Sequence, residues 1–185
     1  MVIPDILRKT RSLLDDQAIK IYYSLLSDEQ KAQPGAEQLS NYYKRKDKVE
    51  SEKTFENFSL STNNEQVFSL NSIKDKKLVL IDFWASWCAP CRHKHQKLVA
   101  LYEKYSVKEL EIVSISLDDD KKDWLNAIKK DKMTWINVSE LKGWETRIAK
   151  NYFVSGIPFN FWLDKDRKII STTDLSEKEI EEYLK

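Results

Sequence analysis

Glycine is almost missing from this chain: Gly35, Gly143 and Gly156 are the three in 185 residues. Scattered so widely, they form neither a Gly-rich phosphate cradle nor a dinucleotide fingerprint, which need glycines at short fixed spacing. An excess of one charge is missing too. The 31 Lys and Arg are balanced by 30 Asp and Glu, a formal net of +1, so bulk nucleic-acid binding has no electrostatic support. Long apolar runs are also absent. Leu78-Val79-Leu80-Ile81 falls far short of the ~20 residues that span a bilayer. Met1-Val2-Ile3-Pro4-Asp5 does not open a signal peptide, because charge arrives where the apolar segment belongs. The expectation is a soluble chain. Its 41% hydrophobic and 33% charged residues support a folded core, and its length suits one domain plus an appendage.

The pattern of apolar residues changes period near Ser51. Before it, Leu7, Leu14, Ala18, Ile21, Tyr22 and Leu25 mark one face of a helix from Asp5 to about Ser27. Pro34-Gly35 punctuates it, and Ala36 to about Lys48 reads as a second, more polar helix. Residues 1–50 are therefore an appendage, or the remnant of a longer N-terminal region. Tyr43-Lys44-Arg45-Lys46-Asp47-Lys48 reads as a solvated helix end rather than a basic binding patch. After Ser51, Phe55, Phe58 and Leu60 suggest an extended entry and Val67–Leu70 a short strand. Lys77–Trp84 is nearly continuous apolar sequence, as in a strand covered on both faces. A helix from about Cys88 to Tyr105 follows, then a strand at Glu111–Leu117, a helix at Lys121–Lys132 and a strand at Thr134–Val138. Trp144–Tyr152 reads as a helix, Phe159–Leu163 and Lys168–Thr172 as a hairpin around Asp164–Arg167, and Ser176–Leu184 as a closing helix. This alternation predicts a layered α/β domain over 51–185, with a mostly central sheet.

Both cysteines of the chain sit in Cys88-Ala89-Pro90-Cys91, after a buried strand and at the opening of a helix. There the unpaired N–H groups of the first turn and the positive dipole end favour a thiolate. Such settings lower a cysteine pKa from ~8.5 to about 3.5–7.5. Pro90 suits the first turn, where its missing N–H has no helical partner to lose. The spacing lets Cys91 attack a mixed disulfide on Cys88 and release a reduced product. A purely structural bridge gains little, because so short a loop removes little chain entropy. A haem attachment needs His after the second cysteine, where Arg92 stands. Zinc is a weaker alternative. Cys88, Cys91, His93 and His95 supply four donors, but helical positions two apart point roughly 200° from each other. The two histidines are expected as exposed side chains after the motif, with His93 adding positive charge when protonated. Asp82 interrupts the apolar strand, where a carboxylate is costly to bury unless used or paired. Burial favours the protonated form of a carboxyl, which suits Asp82 to accept a proton from Cys91.

Asp82-Phe83-Trp84-Ala85-Ser86-Trp87-Cys88-Ala89-Pro90-Cys91-Arg92 resembles the active-site strand and helix of thioredoxin. The wider layout resembles the TlpA/ResA-like cell-envelope thiol-disulfide oxidoreductases. It runs from Phe58-Ser59-Leu60 through Val113–Asp118, Trp124, Leu141-Lys142-Gly143-Trp144 and Gly156-Ile157-Pro158 to Phe161-Trp162-Leu163-Asp164. The resemblance covers about 52–185. It implies a thioredoxin-like mixed sheet flanked by helices, with a helical N-terminal appendage. It also implies Cys88 as attacking thiolate, Cys91 as resolving thiol and Asp82 as the buried acid. Pro158 matches the cis-proline that sits against the disulfide, with Ile157 offering backbone to an extended substrate. Trp87, Ala89 and Pro90 flank the same site, while Trp84 belongs to the core.

Two departures stand out. Family members commonly carry an acid three residues after the second cysteine and a proline two further on; here Lys94 and Gln96 stand there. Phe159-Asn160-Phe161 replaces smaller residues after the cis-proline, so Phe159 is expected to narrow the groove. The resemblance implies disulfide exchange with protein thiols and disulfides, as a reductase, with no cofactor beyond the Cys88–Cys91 pair. It further implies an upstream electron donor and a periplasmic or cell-envelope location. No export signal is read in this chain, so a leader or membrane tether is expected only in a longer precursor. A non-catalytic binding module and a thiol peroxidase are the alternatives.

Overall fold

The computed structural model describes residues 16–185. Residues 5–15 of the first predicted helix lie outside that range. Three helices lead: α1 (Asp16–Ser24), α2 (Asp28–Lys31) and α3 (Pro34–Glu52). Ser27 caps α2 with a reciprocal capping box to Gln30, and Pro34 starts α3, where no N–H is needed. Then come β1 (Ser59–Thr62), β2 (Val67–Ser69), β3 (Leu78–Trp84), α4 (Ala89–Tyr105), β4 (Leu110–Ser116), α5 (Lys121–Lys130), β5 (Ile136–Ser139), α6 (Arg147–Asn151), β6 (Phe159–Asp164), β7 (Ile169–Ser171) and α7 (Glu177–Tyr183).

Among the described residues the strands form one mixed sheet in the order β2-β1-β5-β4-β3-β6-β7. Strands β3, β4 and β5 run parallel; β6 is antiparallel to β3, and β1 to β5. Parallel neighbours need crossovers, which α4 and α5 supply. Every residue of β3 and of β4 is buried, the burial expected of strands covered on both faces. The main core runs from Phe55 to Ile180. In it Phe55 stacks on Tyr152 at 4.2 Å and meets Phe161 edge-on at 5.2 Å. The predicted entry segment covers a sheet edge: Phe55 N donates to Arg167 O at 2.8 Å and Ile169 N to Lys53 O at 2.7 Å. The predicted turn between β6 and β7 is held by Asp164, whose Oδ1 accepts from the backbone of Asp166 and Lys168 at 2.9 Å each.

The N-terminal helices build a second small core of Ile19, Leu26, Ala36, Leu39 and Tyr43. This corrects the predicted stripe: Ile21, Tyr22 and Leu25 are exposed, and Ile19 and Leu26 turn inward instead. The basic run is corrected as well. Because α3 continues to Glu52, Tyr43–Lys48 is mid-helix, and Lys44, Arg45 and Lys48 lie on aromatic rings of the α/β domain. Arg45 sits 4.4 Å from the Phe159 ring centroid and donates to Phe153 O at 2.7 Å. Lys48 lies 5.1 Å from the Tyr152 ring. Between α3 and the loop before β6 lies a cavity of about 300 Å³ lined by Leu39, Tyr42, Arg45, Gly156 and Phe159. The predicted helix at 144–152 divides into a 3-10 turn, Gly143–Glu145, and α6. Gly143 there takes the left-handed φ of +55°, which disfavours other residues. Among the described residues, no helix is long and apolar enough to cross a membrane.

Candidate active site

Cys88 is the N-cap of α4, with extended backbone, and Pro90 sits in the first turn. Its Sγ accepts the Cys91 N–H at 3.2 Å, one of the orphan donors that a helix start must place. The two sulfurs are joined as a disulfide. Cys88 is 5% exposed and Cys91 1%, while Ala89 and Pro90 between them are exposed. Trp87 stands out from the surface at 57% exposure, 6.3 Å from the ring of Trp144.

The peptide Ile157–Pro158 is cis. Antiparallel pairing sets Phe159 opposite Phe83, so this bond lies at the end of β3 from which the chain leaves for Cys88. Pro158 is exposed and Ile157 half-buried. Phe159 does not stand alone over a groove: it is half-buried between Arg45 and the ring of Phe161, 5.1 Å away.

The loop before the cysteines is anchored from two sides. Asp118, buried at the end of β4, accepts the Ser86 N–H on both oxygens at 3.0 and 3.1 Å and the Ser86 hydroxyl at 2.6 Å. Ser116 Oγ donates to the same carboxylate at 2.6 Å. Arg92 Nη1 donates to Ser86 O at 3.2 Å.

Asp82 is 1% exposed in the central strand. Ser114 Oγ donates to its Oδ2 at 3.2 Å, and Lys94 Nζ stands 3.8 Å from Oδ1. Lys94 also reaches Asp174 at 2.7 Å. His95 is the largest departure from the sequence reading: it is 1% exposed, not a surface side chain. It stands four positions after Cys91, so both lie on the sheet-facing side of α4. Its Nδ1 lies 3.0 Å from Asp131 Oδ2, and its Nε2 lies 3.6 Å from Asp82 Oδ2. His93 is exposed as expected. Asp131 is bound in turn by Arg92, whose Nε meets Oδ2 and whose Nη2 meets Oδ1 at 2.6 Å. Burial alone would raise the Asp131 carboxyl, but the hydrogen bonds from Arg92 and His95 outweigh it and hold the group below its usual value. The pairing with Asp131 pushes the Arg92 guanidinium further up.

Sequence reasoning thus singled out Cys88, Cys91 and Asp82 and weighed His95 only as a zinc donor, while Asp131, Arg92 and Asp118 were given no role. One signal was available: the i, i+4 spacing of Cys91 and His95 on a helix whose inner face is apolar. Asp131 carries no such signal, because it meets His95 only through tertiary packing. Among the described residues, no group of three or more His, Cys, Asp or Glu side chains is arranged to hold a metal ion.

Comparison with known proteins agrees with this geometry. The thioredoxin-like family profile matches residues 75–169. The thiol-disulfide oxidoreductase ResA of Bacillus cereus (strain ATCC 10987 / NRS 248) is 32% identical over 146 residues, 78% of this chain and 82% of that protein. A thiol-disulfide oxidoreductase structure from Bacteroides fragilis superimposes with a TM-score of 0.65 at 30% identity, covering 70% of this chain and 98% of that one. The thioredoxin domain of a thiol-disulfide oxidoreductase from Bacteroides vulgatus gives 0.65 at 26% identity, covering 71% and 96%. With its cysteine pair capping a helix beside the central strand, the chain belongs to the thioredoxin-like family and is a relative of the ResA thiol-disulfide oxidoreductases.

Proposed function

We propose that this protein is a thiol-disulfide oxidoreductase that reduces disulfides of protein clients through Cys88 and Cys91. One observation carries the reading: the only two cysteines of the chain form a disulfide at the start of α4, where helix N–H groups and dipole favour the thiolate. Cys88 attacks the client disulfide and the first client sulfur leaves as a thiolate. Cys91 then attacks Cys88 Sγ; the Cys88–Cys91 bond forms, and the second client sulfur departs with the electron pair. Asp82 takes the Cys91 proton. Trp87, Ala89, Pro90, Ile157 and Pro158 form the rim against which an extended client lies, its backbone meeting that of Ile157. Asp82, buried in β3, serves the release of reduced client by taking the proton of the attacking Cys91. The cysteines are the redox group, with no further cofactor, and an upstream donor returns the electrons. A cell-envelope location is what the resemblance to TlpA/ResA-like oxidoreductases implies. Residues 1–50 and 51–185 are two units, the first touching the second through Arg45, which meets Phe153 O and the Phe159 ring.

Equilibrating the Cys88–Cys91 pair against glutathione, with tryptophan fluorescence as reporter, tests the direction. A reductase has a potential near thioredoxin's, about −270 mV. A value between about −180 and −120 mV would make the protein an oxidant or isomerase instead.

A further inference from the structure

His95 has a nitrogen that the exchange reaction, as described, does not use. Its ring is buried between two carboxylates, with Asp131 3.0 Å from Nδ1 and Asp82 3.6 Å from Nε2. Arg92 holds Asp131 ionised, so that carboxylate can only accept, and the proton between them sits on His95 Nδ1. In the neutral ring Nε2 is then a bare lone pair. It has no hydrogen-bond partner, an arrangement that costs free energy in a buried site. The polar group facing it is Asp82 Oδ2.

The surroundings fix the direction of proton flow. Trp135 Nε1 donates to Ser114 Oγ at 2.8 Å, so the Ser114 proton is free to point at Asp82 Oδ2. Lys94 faces the other oxygen of Asp82. The rings of Trp84 and Trp135 lie 4.7 and 6.2 Å from the imidazole and screen it from water. Asp131 and Arg92, at the outer end, are partly exposed.

We propose that His95 is a positioning residue for the exchange reaction, drawing through Nε2 the proton that Asp82 receives from Cys91. This rests on Asp82 being the proton acceptor for Cys91. As Cys91 attacks the mixed disulfide, its S–H proton passes to Asp82, and the new carboxylic acid donates to Nε2. A small side-chain movement closes 3.6 Å to the ~2.9 Å of a hydrogen bond. Proton transfer leaves Asp82 as carboxylate and His95 as imidazolium between two anions. The Nδ1 proton then leaves by way of Asp131 to water, and the departing client thiolate takes its own proton from water. Asp131 plays the orienting part that a carboxylate plays behind a catalytic histidine.

Stopped-flow fluorescence of the reduced protein with oxidised glutathione separates two phases. Adduct formation on Cys88 depends on glutathione concentration; release by Cys91 does not. His95→Asn should slow release on the order of 10²-fold, the scale of general acid–base assistance. It should also flatten the pH dependence of release and leave adduct formation unchanged. Asp131→Asn should slow release too. Arg92 claims the amide oxygen and turns the amide NH2 toward Nδ1, which forces the proton onto Nε2. The double variant Asp82→Asn/His95→Asn should release no more slowly than Asp82→Asn alone. If Asp82→Asn slows release while His95→Asn and Asp131→Asn stay within about twofold of the parent, His95 has no such role. If Asp82→Asn itself leaves release unchanged, the underlying assignment of Asp82 fails, and this proposal with it. Should His95→Asn not fold, Asp131→Asn, which keeps the imidazole, decides the question in its place.

Discussion

His93 and His95 stand two apart on one helix, yet one is exposed and the other sealed behind Trp84 and Trp135. What separates them is partnership. A buried imidazole is tolerable where its N–H finds a carboxylate, and Asp131 supplies one from beyond the end of α5. That carboxylate also grips Arg92, so one side chain ties the active-site helix to the next crossover. Since Asp131 titrates below its ordinary 3.8 in the folded chain, its contribution to stability is complete above that pH and is lost as pH falls through the folded value. Asp131→Asn should therefore lower the urea midpoint at pH 7, and its gap from the parent should narrow by pH 3. A gap of the same size at both pH values would show that the Asp131 charge contributes nothing. The residues legible in the sequence were those whose signal is local: a cysteine pair at a helix start, and an acid breaking an apolar strand. Asp118 and Asp131 act across loops by tertiary contact, and no local pattern announces them.

At the scale of elements, α3 departs furthest from expectation. Its basic run suggested a solvated end, because charge patterning says nothing about aromatic rings brought in from residues 152–159. In the fold, Arg45 and Lys48 spread over Phe159 and Tyr152, their long side chains covering apolar surface as well as carrying charge. Arg45→Ala removes a charge-assisted hydrogen bond and a ring contact together, a loss of about 2 kcal/mol in how α3 is held. Hydrogen exchange should then show α3 amides exchanging roughly 10-fold faster or more, with β3 and β4 unchanged, since every 1.4 kcal/mol is a factor of about ten. Unaltered exchange in α3 would mean that its small core of Ile19, Leu39 and Tyr43 holds it in place without Arg45. The inner strands were legible because continuous burial leaves continuous apolar sequence. The 144–152 segment was not: its apolar spacing is helical throughout, and the break lies at Thr146, whose ψ of 119° leaves the helical region.

For the molecule as a whole, the alternation of strand and helix was enough to predict a layered α/β architecture, and the resemblance supplied the mixed sheet; the strand order, which periodicity cannot carry, came with the fold. The strand ends place the end of β3, the start of α4 and the cis Ile157–Pro158 peptide together at one end of the sheet, with Asp82 of β3 and His95 of α4 both buried beneath them. Exposed rim, capped sulfur and buried acid thus form a graded path from water to core. The whole mechanism turns on which sulfur meets the client. Cys91→Ser protein, reduced and mixed with a disulfide-bonded protein such as insulin, should accumulate a mixed disulfide, which peptide mass spectrometry places on Cys88. Cys88→Ser protein should form no such adduct and should not turn over. Normal reduction of insulin by Cys88→Ser, or an adduct carried elsewhere than Cys88, would contradict that mechanism.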